Sequence, residues 1–228
     1  MSTKPATKPN LEQAVEFAEN PEPRCPCVLL LDTSGSMQGA AIAALNEGLR
    51  VFKNDLSKDP VASRRVEVAV VTFDSAVTVV QDFVTADQFQ PPTLTAQGVT
   101  FMGEAIQKAL DIVQARKEQY KTSGIAYYRP WIFMITDGEP QGEPEDVVER
   151  AAQRVKADEA MKHVAFFTVG VENANIERLS TIAVKTPLKL TGLRFSELFV
   201  WLSASMHAVS KSKVSDQVAL PPPGWANV

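Results

Sequence analysis

The chain has 228 residues, of which 45% are hydrophobic and 22% are charged, and its formal net charge is −4. These values are those of an ordinary globular protein, and the lack of a basic run argues against a nucleic-acid-binding surface. No apolar run approaches the ~20 residues of a membrane span, and Met1–Asn10 lacks the apolar core of a signal peptide, so we expect a cytoplasmic protein without membrane contact.

Hydrophobic spacing predicts strands and helices in alternation. Residues 1–24 are predicted to be an N-terminal tail that can form a short helix over 11–18, and the proline-rich residues 211–228 a C-terminal tail. Between them, apolar runs or alternation predict strands at 27–32, 65–73, 77–84, 131–136, 164–169 and 188–190. Apolar residues three or four apart predict helices at 40–55, 100–120, 145–160, 175–183 and 194–209.

This order of elements predicts an α/β fold for a single domain over residues 25–210. Strands separated by helices are typical of a three-layer, Rossmann-like arrangement, with a mainly parallel central sheet and helices on both faces. The two-residue connection Asp74-Ser75 predicts a hairpin, which places one antiparallel strand at the edge of the sheet.

Polar side chains follow the two most apolar strands. The strand predicted at 27–32 ends in Asp32 and is followed by Ser34 and Ser36. The strand predicted at 131–136 is followed by Asp137. In an extended loop alternate residues point the same way, so an Asp-x-Ser-x-Ser motif directs one carboxylate and two hydroxyls at a common point. Thr100, at the start of a predicted helix, supplies a further hydroxyl. Because ligands bind at the carboxyl ends of such strands and oxygen ligands suit hard cations, the sequence predicts a magnesium site there.

The Asp-Thr-Ser-Gly-Ser motif, the threonine and the following Asp-Gly pair resemble, in order and in type, the von Willebrand factor A domain and its metal-ion-dependent adhesion site. The resemblance implies that the hydroxyls of Ser34, Ser36 and Thr100 coordinate Mg²⁺ or Mn²⁺. It implies that Asp32 and Asp137 act through bound waters or alternate between direct and indirect contact.

The resemblance covers about residues 27–209, and one position departs from it. Many members of the family have two glycines before the threonine, whereas this chain has Gly98 followed by Val99. The hydroxyl is kept, but the approach of this loop to the site is expected to differ.

The ligand types predict what such a site does. If the direct ligands are neutral hydroxyls, the cation keeps most of its positive charge and favours an anion in its open position. An Asp or Glu carboxylate of a protein partner can supply that anion. We therefore expect magnesium-dependent protein binding, as an adhesion or scaffold module, and no catalysis.

The alternative is a magnesium-dependent phosphohydrolase. Enzymes of the haloacid-dehalogenase type need a second aspartate two residues after the first, and here that position is Ser34. An aspartic protease also has an apolar run before Asp-Thr-Gly, but its fold is all-β and Ser34 precedes the glycine in this chain.

Within the family, the Leu-Leu-Leu-Asp-Thr-Ser-Gly-Ser-Met segment is most similar to bacterial TerY-like proteins associated with tellurium resistance and stress. This similarity implies partners of the kinase or phosphatase class.

Overall fold

The computed structural model describes residues 11–172, 174–214 and 216–227. Residues 1–10 of the predicted N-terminal tail lie outside this part. The strands are β1 (Cys25–Asp32), β2 (Val66–Phe73), β3 (Val77–Thr85), β4 (Trp131–Thr136), β5 (Ala165–Gly170), β6 (Leu188–Leu190) and β7 (Ala226–Asn227). The helices are α1 (Leu11–Glu19), α2 (Ala40–Leu56), α3 (Pro60–Arg65), α4 (Met102–Ser123), α5 (Glu145–Ala160), α6 (Ile176–Ile182) and α7 (Phe195–Lys211).

The strands form one sheet in the order β3-β2-β1-β4-β5-β6-β7. Strands β2, β1, β4, β5 and β6 are parallel, and β3 pairs antiparallel with β2 at one edge. The predicted α/β class, the mainly parallel sheet and its antiparallel edge strand are therefore confirmed. A second antiparallel strand, the two-residue β7, pairs with β6 at the opposite edge.

The central strand β1 is buried on both faces because helices cover both sides of the sheet. Its Leu29 and Leu31 pack in the cluster formed with α2 and α7, and its Val28 and Leu30 pack in the cluster formed with α4, α5 and α6. A strand that is buried on both faces needs apolar residues pointing in both directions. For this reason β1 has a continuous apolar run instead of alternating apolar and polar residues. The first polar residue, Asp32, ends the strand.

Helix α3 is an element that the sequence-based prediction missed. Asp59 caps it, since its Oδ1 accepts from the N–H groups of Val61 at 2.9 Å and Ala62 at 3.0 Å. Pro60 occupies the first turn, where its missing N–H costs no hydrogen bond. The Asp-Pro pair is thus a start signal that the apolar spacing of this short segment does not reveal.

Both segments predicted as tails pack against the domain. Phe17 of α1 is buried, and Trp225, just before β7, is 2% exposed. The Trp225 ring lies edge-on to Trp201 of α7 at 5.6 Å between centroids, and the Trp201 Nε1–H donates to the carbonyl of Pro221 at 2.6 Å. The described residues after α7 therefore return along the core instead of leaving it.

Candidate metal centre

The end of β1 places Asp32 inside the protein. Its carboxylate is fully buried. One oxygen accepts from the Ser34 N–H at 2.8 Å, and the other accepts from the Thr136 hydroxyl, on the neighbouring strand β4, at 2.5 Å. Burial raises the pKa of Asp32 to about 6, and the hydrogen bonds from Ser34 and Thr136 only partly oppose this effect. The structure thus holds a buried carboxylate between neutral donors.

Two serine hydroxyls connect the end of β1 to the end of β4. The Ser34 and Ser36 Oγ atoms are 3.0 Å apart, and the Ser36 hydroxyl donates to Asp137 Oδ1 at 2.8 Å. Residues 35–37 form one turn of 3₁₀ helix. The prediction of an extended loop was therefore wrong, although a tight turn also brings these two hydroxyls together. Burial raises the pKa of Asp137, and the Ser36 hydrogen bond opposes it.

Thr100 reaches the same place from a long connection after β3. It forms an isolated antiparallel bridge with Gln141. The Thr100 N–H donates to the Gln141 carbonyl at 3.2 Å, and the Gln141 N–H donates to the Thr100 carbonyl at 2.9 Å. Thr100 is 3% exposed, and its hydroxyl makes no hydrogen bond to any residue that the structure describes. Among the described residues this hydroxyl therefore has no hydrogen-bond partner.

Gly138 shows that the hydroxyls of Thr100 and Ser36 face a shared space. A Cβ atom placed on Gly138 would lie 3.7 Å from Thr100 Oγ1 and 3.9 Å from Ser36 Oγ. A side chain here would fill the space in front of both hydroxyls. The glycine of the Asp-Gly pair keeps that space open.

Gly142 explains how the chain accommodates Val99, the residue that departs from the family pattern. A Cβ on Gly142 would lie 2.8 Å from Val99 Cγ2 and 2.9 Å from the Phe101 ring, and its φ of +82° also favours glycine. Gly98, with φ +72°, has its Cβ direction blocked by the Ser75 hydroxyl, which accepts from the Val99 N–H at 3.1 Å. The larger valine is thus matched by a missing side chain opposite it.

The structure therefore brings all five predicted residues together at the carboxyl ends of the parallel strands. Asp32 and Asp137 supply carboxylates, and Ser34, Ser36 and Thr100 supply hydroxyls. Their role as metal ligands stays a prediction, and the donor set fits it. Adjacent ligand oxygens around an octahedral Mg²⁺, at about 2.1 Å from the ion, are about 3.0 Å apart, as the two serine oxygens are. A metal site made of three or more His, Cys, Asp or Glu side chains, a different kind of site from this one, is absent from the described ranges.

Two residues that orient the site were not identified from the sequence. Thr136 fixes Asp32, and its position directly before Asp137 at the tip of a strand was a signal. Gln141 positions Thr100 through the backbone hydrogen bonds of their bridge. Such a bridge does not depend on residue type, so no sequence pattern predicts it.

Comparison with known proteins gives a family and a fold. A model of the von Willebrand factor type A domain matches residues 27–192. No curated protein sequence matches the chain. None of the helices in the described part is long and apolar enough to cross a membrane.

Several solved structures share the fold at low sequence identity. The vWF domain of the type V pili tip protein Mfa5 from Porphyromonas gingivalis is 12% identical with a TM-score of 0.61, and the match covers 87% of this chain and 99% of that one. The pilus adhesin SpaC from Lactobacillus rhamnosus GG is 13% identical with a TM-score of 0.64, covering 82% and 31%.

Proximal thread matrix protein 1 from the mussel byssus is 16% identical with a TM-score of 0.57, and the match covers 82% of this chain and 48% of that one. The chain thus spans less than half the length of that protein and of SpaC. At these identities the likeness establishes the fold, and the family model covers most of the chain. The chain belongs to the von Willebrand factor type A domain family.

Proposed function

We propose that this domain binds a protein partner through Mg²⁺ or Mn²⁺ held at the candidate metal centre. Ser34, Ser36 and Thr100 would hold the cation with their hydroxyls, and Asp32 and Asp137 directly or through water. The observation that carries the proposal is the convergence of three hydroxyls: the Ser34 and Ser36 oxygens are 3.0 Å apart, and the Thr100 hydroxyl faces the same space as that of Ser36. Hydroxyl and carboxylate oxygens grouped in this way suit a hard cation such as Mg²⁺.

The charges of the donor set favour binding of an anion. When bound, the cation would supply a positive charge with an open position for an oxygen anion. Asp32 already accepts hydrogen bonds on both oxygens, from Ser34 and Thr136, so these donors hold it back from neutralising the ion as a direct ligand. A carboxylate from an Asp or Glu of the partner would complete the site.

The same contacts argue against the phosphohydrolase alternative. A nucleophilic aspartate needs an oxygen that can reach the phosphorus, whereas Asp32 is fully buried with both oxygens engaged. Position 34, where that chemistry needs a second carboxylate, is a serine. We therefore propose a binding module without enzymatic activity.

Calorimetric titration with Mg²⁺ tests the metal centre. Thr100→Val removes one hydroxyl and keeps the shape of the side chain, and we expect Mg²⁺ affinity to fall at least about tenfold, or ~1.4 kcal/mol. Thr33→Val is the matched control. Thr33 is equally buried, but its hydroxyl already has a protein partner, since it donates to the carbonyl of Phe73 at 3.3 Å. Equal affinity of the Thr100 variant and the parent protein would contradict the proposal.

Capture of partners from native cells tests the function. A partner retained in Mg²⁺, released by chelator and lost with Asp32→Ala supports metal-bridged binding, and unchanged capture by that variant contradicts it. Turnover of a phosphoester by the purified chain would favour the enzyme instead.

The narrower resemblance to TerY-like proteins of tellurium-resistance and stress systems stays a prediction, together with kinase or phosphatase partners and a cytoplasmic location. It rests on the residues of β1 and the turn after it. Identification of a kinase or phosphatase in the same pull-down would support it.

A further inference from the structure

The loop after β4 supplies Asp137 to the candidate metal centre and also holds the segment that carries Thr100. At Gln141 this loop forms the backbone bridge with Thr100. Two residues later, the Glu143 side chain reaches the first turn of α4, the helix that follows Thr100 in the chain. One loop therefore contacts both Thr100 itself and the start of the helix behind it.

Helix α4 has no side-chain cap from its own N-cap residue. That residue is Phe101, whose ring has no hydrogen-bond acceptor. The N–H groups in the first turn of a helix have no partner inside the helix, so they need an acceptor from elsewhere. Glu143, which follows Gly103 by 40 residues in the chain, supplies both of its carboxylate oxygens. One oxygen accepts from the Gly103 N–H at 2.7 Å, and the other accepts from the Glu104 N–H at 3.1 Å. The negative charge also suits the positive end of the helix dipole.

The first turn of α4 is connected to Thr100 without slack. The Met102 N–H donates to the Thr100 carbonyl at 2.9 Å, which ties Thr100 to this turn. The turn also packs directly on α5, since a Cβ atom placed on Gly103 would lie 2.8 Å from the Cα atom of Val148. Closely packed backbones of this kind transmit small displacements. The position of Thr100 therefore depends on how the first turn of α4 is held.

We infer that Glu143 is a positioning residue for the candidate metal centre. Both of its oxygens bind the start of α4, so it acts through Thr100 rather than on the ion. By joining the loop of Asp137 to this helix, it keeps the Thr100 hydroxyl in the space that it shares with the Ser36 hydroxyl. Groups that orient metal ligands in this way change metal affinity by about 10–100-fold. The inference rests on the proposed function and adds to it a residue outside the predicted ligand set.

Calorimetric titration of the full chain with Mg²⁺ tests the positioning role. Glu143→Gln keeps the shape of the side chain, but its amide group can accept from only one of the two N–H groups. We expect Mg²⁺ affinity to fall about tenfold, the low end of what the loss of an orienting group costs. Glu139→Gln is the matched control, because it removes the same charge from an exposed position in the same loop. Glu139 accepts from the Asn175 side chain and not from α4, so we expect affinity to stay within about twofold of the parent value.

A double-mutant cycle separates positioning from a direct effect of charge. If Glu143 acts through Thr100, it has no ligand left to position in the Thr100→Val variant. Adding Glu143→Gln to Thr100→Val should therefore leave the Mg²⁺ affinity of that variant unchanged. Losses that multiply in the double variant would show that Glu143 acts on the ion independently of Thr100, and would overturn the inference.

Hydrogen exchange of the parent protein gives a second measurement, which does not depend on the folding of any variant. Because coupling between two sites is reciprocal, Mg²⁺ should slow the exchange of the Gly103 and Glu104 amides by the same factor of about ten. The amides of Val61 and Ala62 are the control, since Asp59 caps α3 with two hydrogen bonds of the same kind. A response of the α4 amides no larger than that of the control amides would overturn the inference.

The outcomes separate the two proposals. If Thr100→Val lowers Mg²⁺ affinity and Glu143→Gln does not, the positioning role fails and metal binding at this centre stands. If Glu139→Gln lowers the affinity as much as Glu143→Gln, charge rather than position explains the loss, and the inference fails in the same way. If Thr100→Val binds Mg²⁺ as tightly as the parent protein, the proposed metal centre fails and the inference fails with it.

Discussion

The two ends of the central sheet both bury charged side chains, but they treat the charge in opposite ways. At the amino ends of β1 and β2, the Glu67 carboxylate is fully buried and lies between two arginines. Arg24 Nε is 2.8 Å from it, and Arg116 reaches it with Nε at 2.9 Å. At the carboxyl ends, Asp32 is equally buried but has only neutral donors.

The difference separates an end whose buried charges are paired from an end whose buried charge has only neutral hydrogen-bond donors. Around Glu67 every charge has a partner, since the Tyr120 hydroxyl also donates to it and Glu16 pairs with Arg116 at 2.5 Å. Phe17 of α1 closes this network, with the Arg116 guanidinium 4.9 Å from its ring centre. A complete network holds the fold together, whereas the charge of Asp32 has no cationic partner among the described residues, and the proposed metal ion would balance it.

Breaking the network around Glu67 should have the largest effect on stability. Glu67→Gln keeps the shape of the side chain but leaves Arg24 and Arg116 buried without their shared counter-ion. We expect the free energy of unfolding to fall by about 3–5 kcal/mol, measured by urea denaturation. Glu22→Gln is the control, because Glu22 pairs with the partly exposed Arg65 and should cost less than about 1 kcal/mol. Similar losses for both variants would show that the network is no more important than a surface pair.

The corresponding change at the other end should have the opposite sign. In chelator, Asp32→Asn removes a buried charge that no cation balances, so we expect unfolding to cost about 1–2 kcal/mol more at neutral pH. A pKa raised from 3.8 to about 6 corresponds to about 3 kcal/mol, and a weakened Thr136 hydrogen bond offsets about 1 kcal/mol of it.

The pH dependence gives the sign of this effect independently. Because the pKa of Asp32 is higher in the folded protein, the parent loses stability as pH rises from about 4 to about 6, and the variant does not. The gain should therefore be complete above pH 6 and disappear below about pH 4. A variant that is less stable than the parent at neutral pH would contradict the assignment of an uncompensated charge.

The sequence predicted the residue types at the candidate metal centre better than the contacts that orient them. Two apolar strands, each leading into an aspartate, were enough to place Asp32 and Asp137 at the same end of the sheet, because parallel strands run in the same direction. The bridge between Thr100 and Gln141 joins loops that are distant in the chain, and no local pattern carries that information.

The same limit applies at the periphery of the fold. Helix α3 is one turn and a half long, too short for apolar periodicity, and its start signal at Asp59 was overlooked. Strand β7 follows a run of three prolines, which predicts extended chain without indicating what it packs against. Its position depends on the tertiary contact between Trp225 and Trp201 of α7.

A smaller effect is expected where the chain departs from the family pattern. Gly142→Ala places a Cβ 2.8 Å from Val99 Cγ2 at a residue with φ +82°. We expect a loss of about 1–2 kcal/mol in the free energy of unfolding and weaker Mg²⁺ binding, because Thr100 follows Val99. Gly192→Ala is the control for the backbone alone, since φ there is +59° and no atom lies within 4 Å of its Cβ position.

The steric part of this loss should be reversible. Adding Val99→Gly to Gly142→Ala removes the clash with valine, so the double variant should lose less stability than the two single changes added together. Additive losses in the double-mutant cycle would show that Val99 and Gly142 are not matched to each other.

The smallest effect is expected at a surface pair near the buried network, which measures what burial adds to an ion pair. Hydrogen bonds from the Lys211 ammonium and from the start of α3 lower the pKa of Asp59 to about 2. Because the folded value is the lower one, the stabilisation is present above the ordinary pKa of about 3.8 and is lost as pH falls towards 2. Lys211 is 54% exposed, so we expect Lys211→Met to cost less than about 1 kcal/mol at pH 7, and the cost to disappear as pH falls below 2. A loss at neutral pH as large as that of Glu67→Gln would show that counter-ions, rather than their burial, decide how strongly charges hold this end of the sheet.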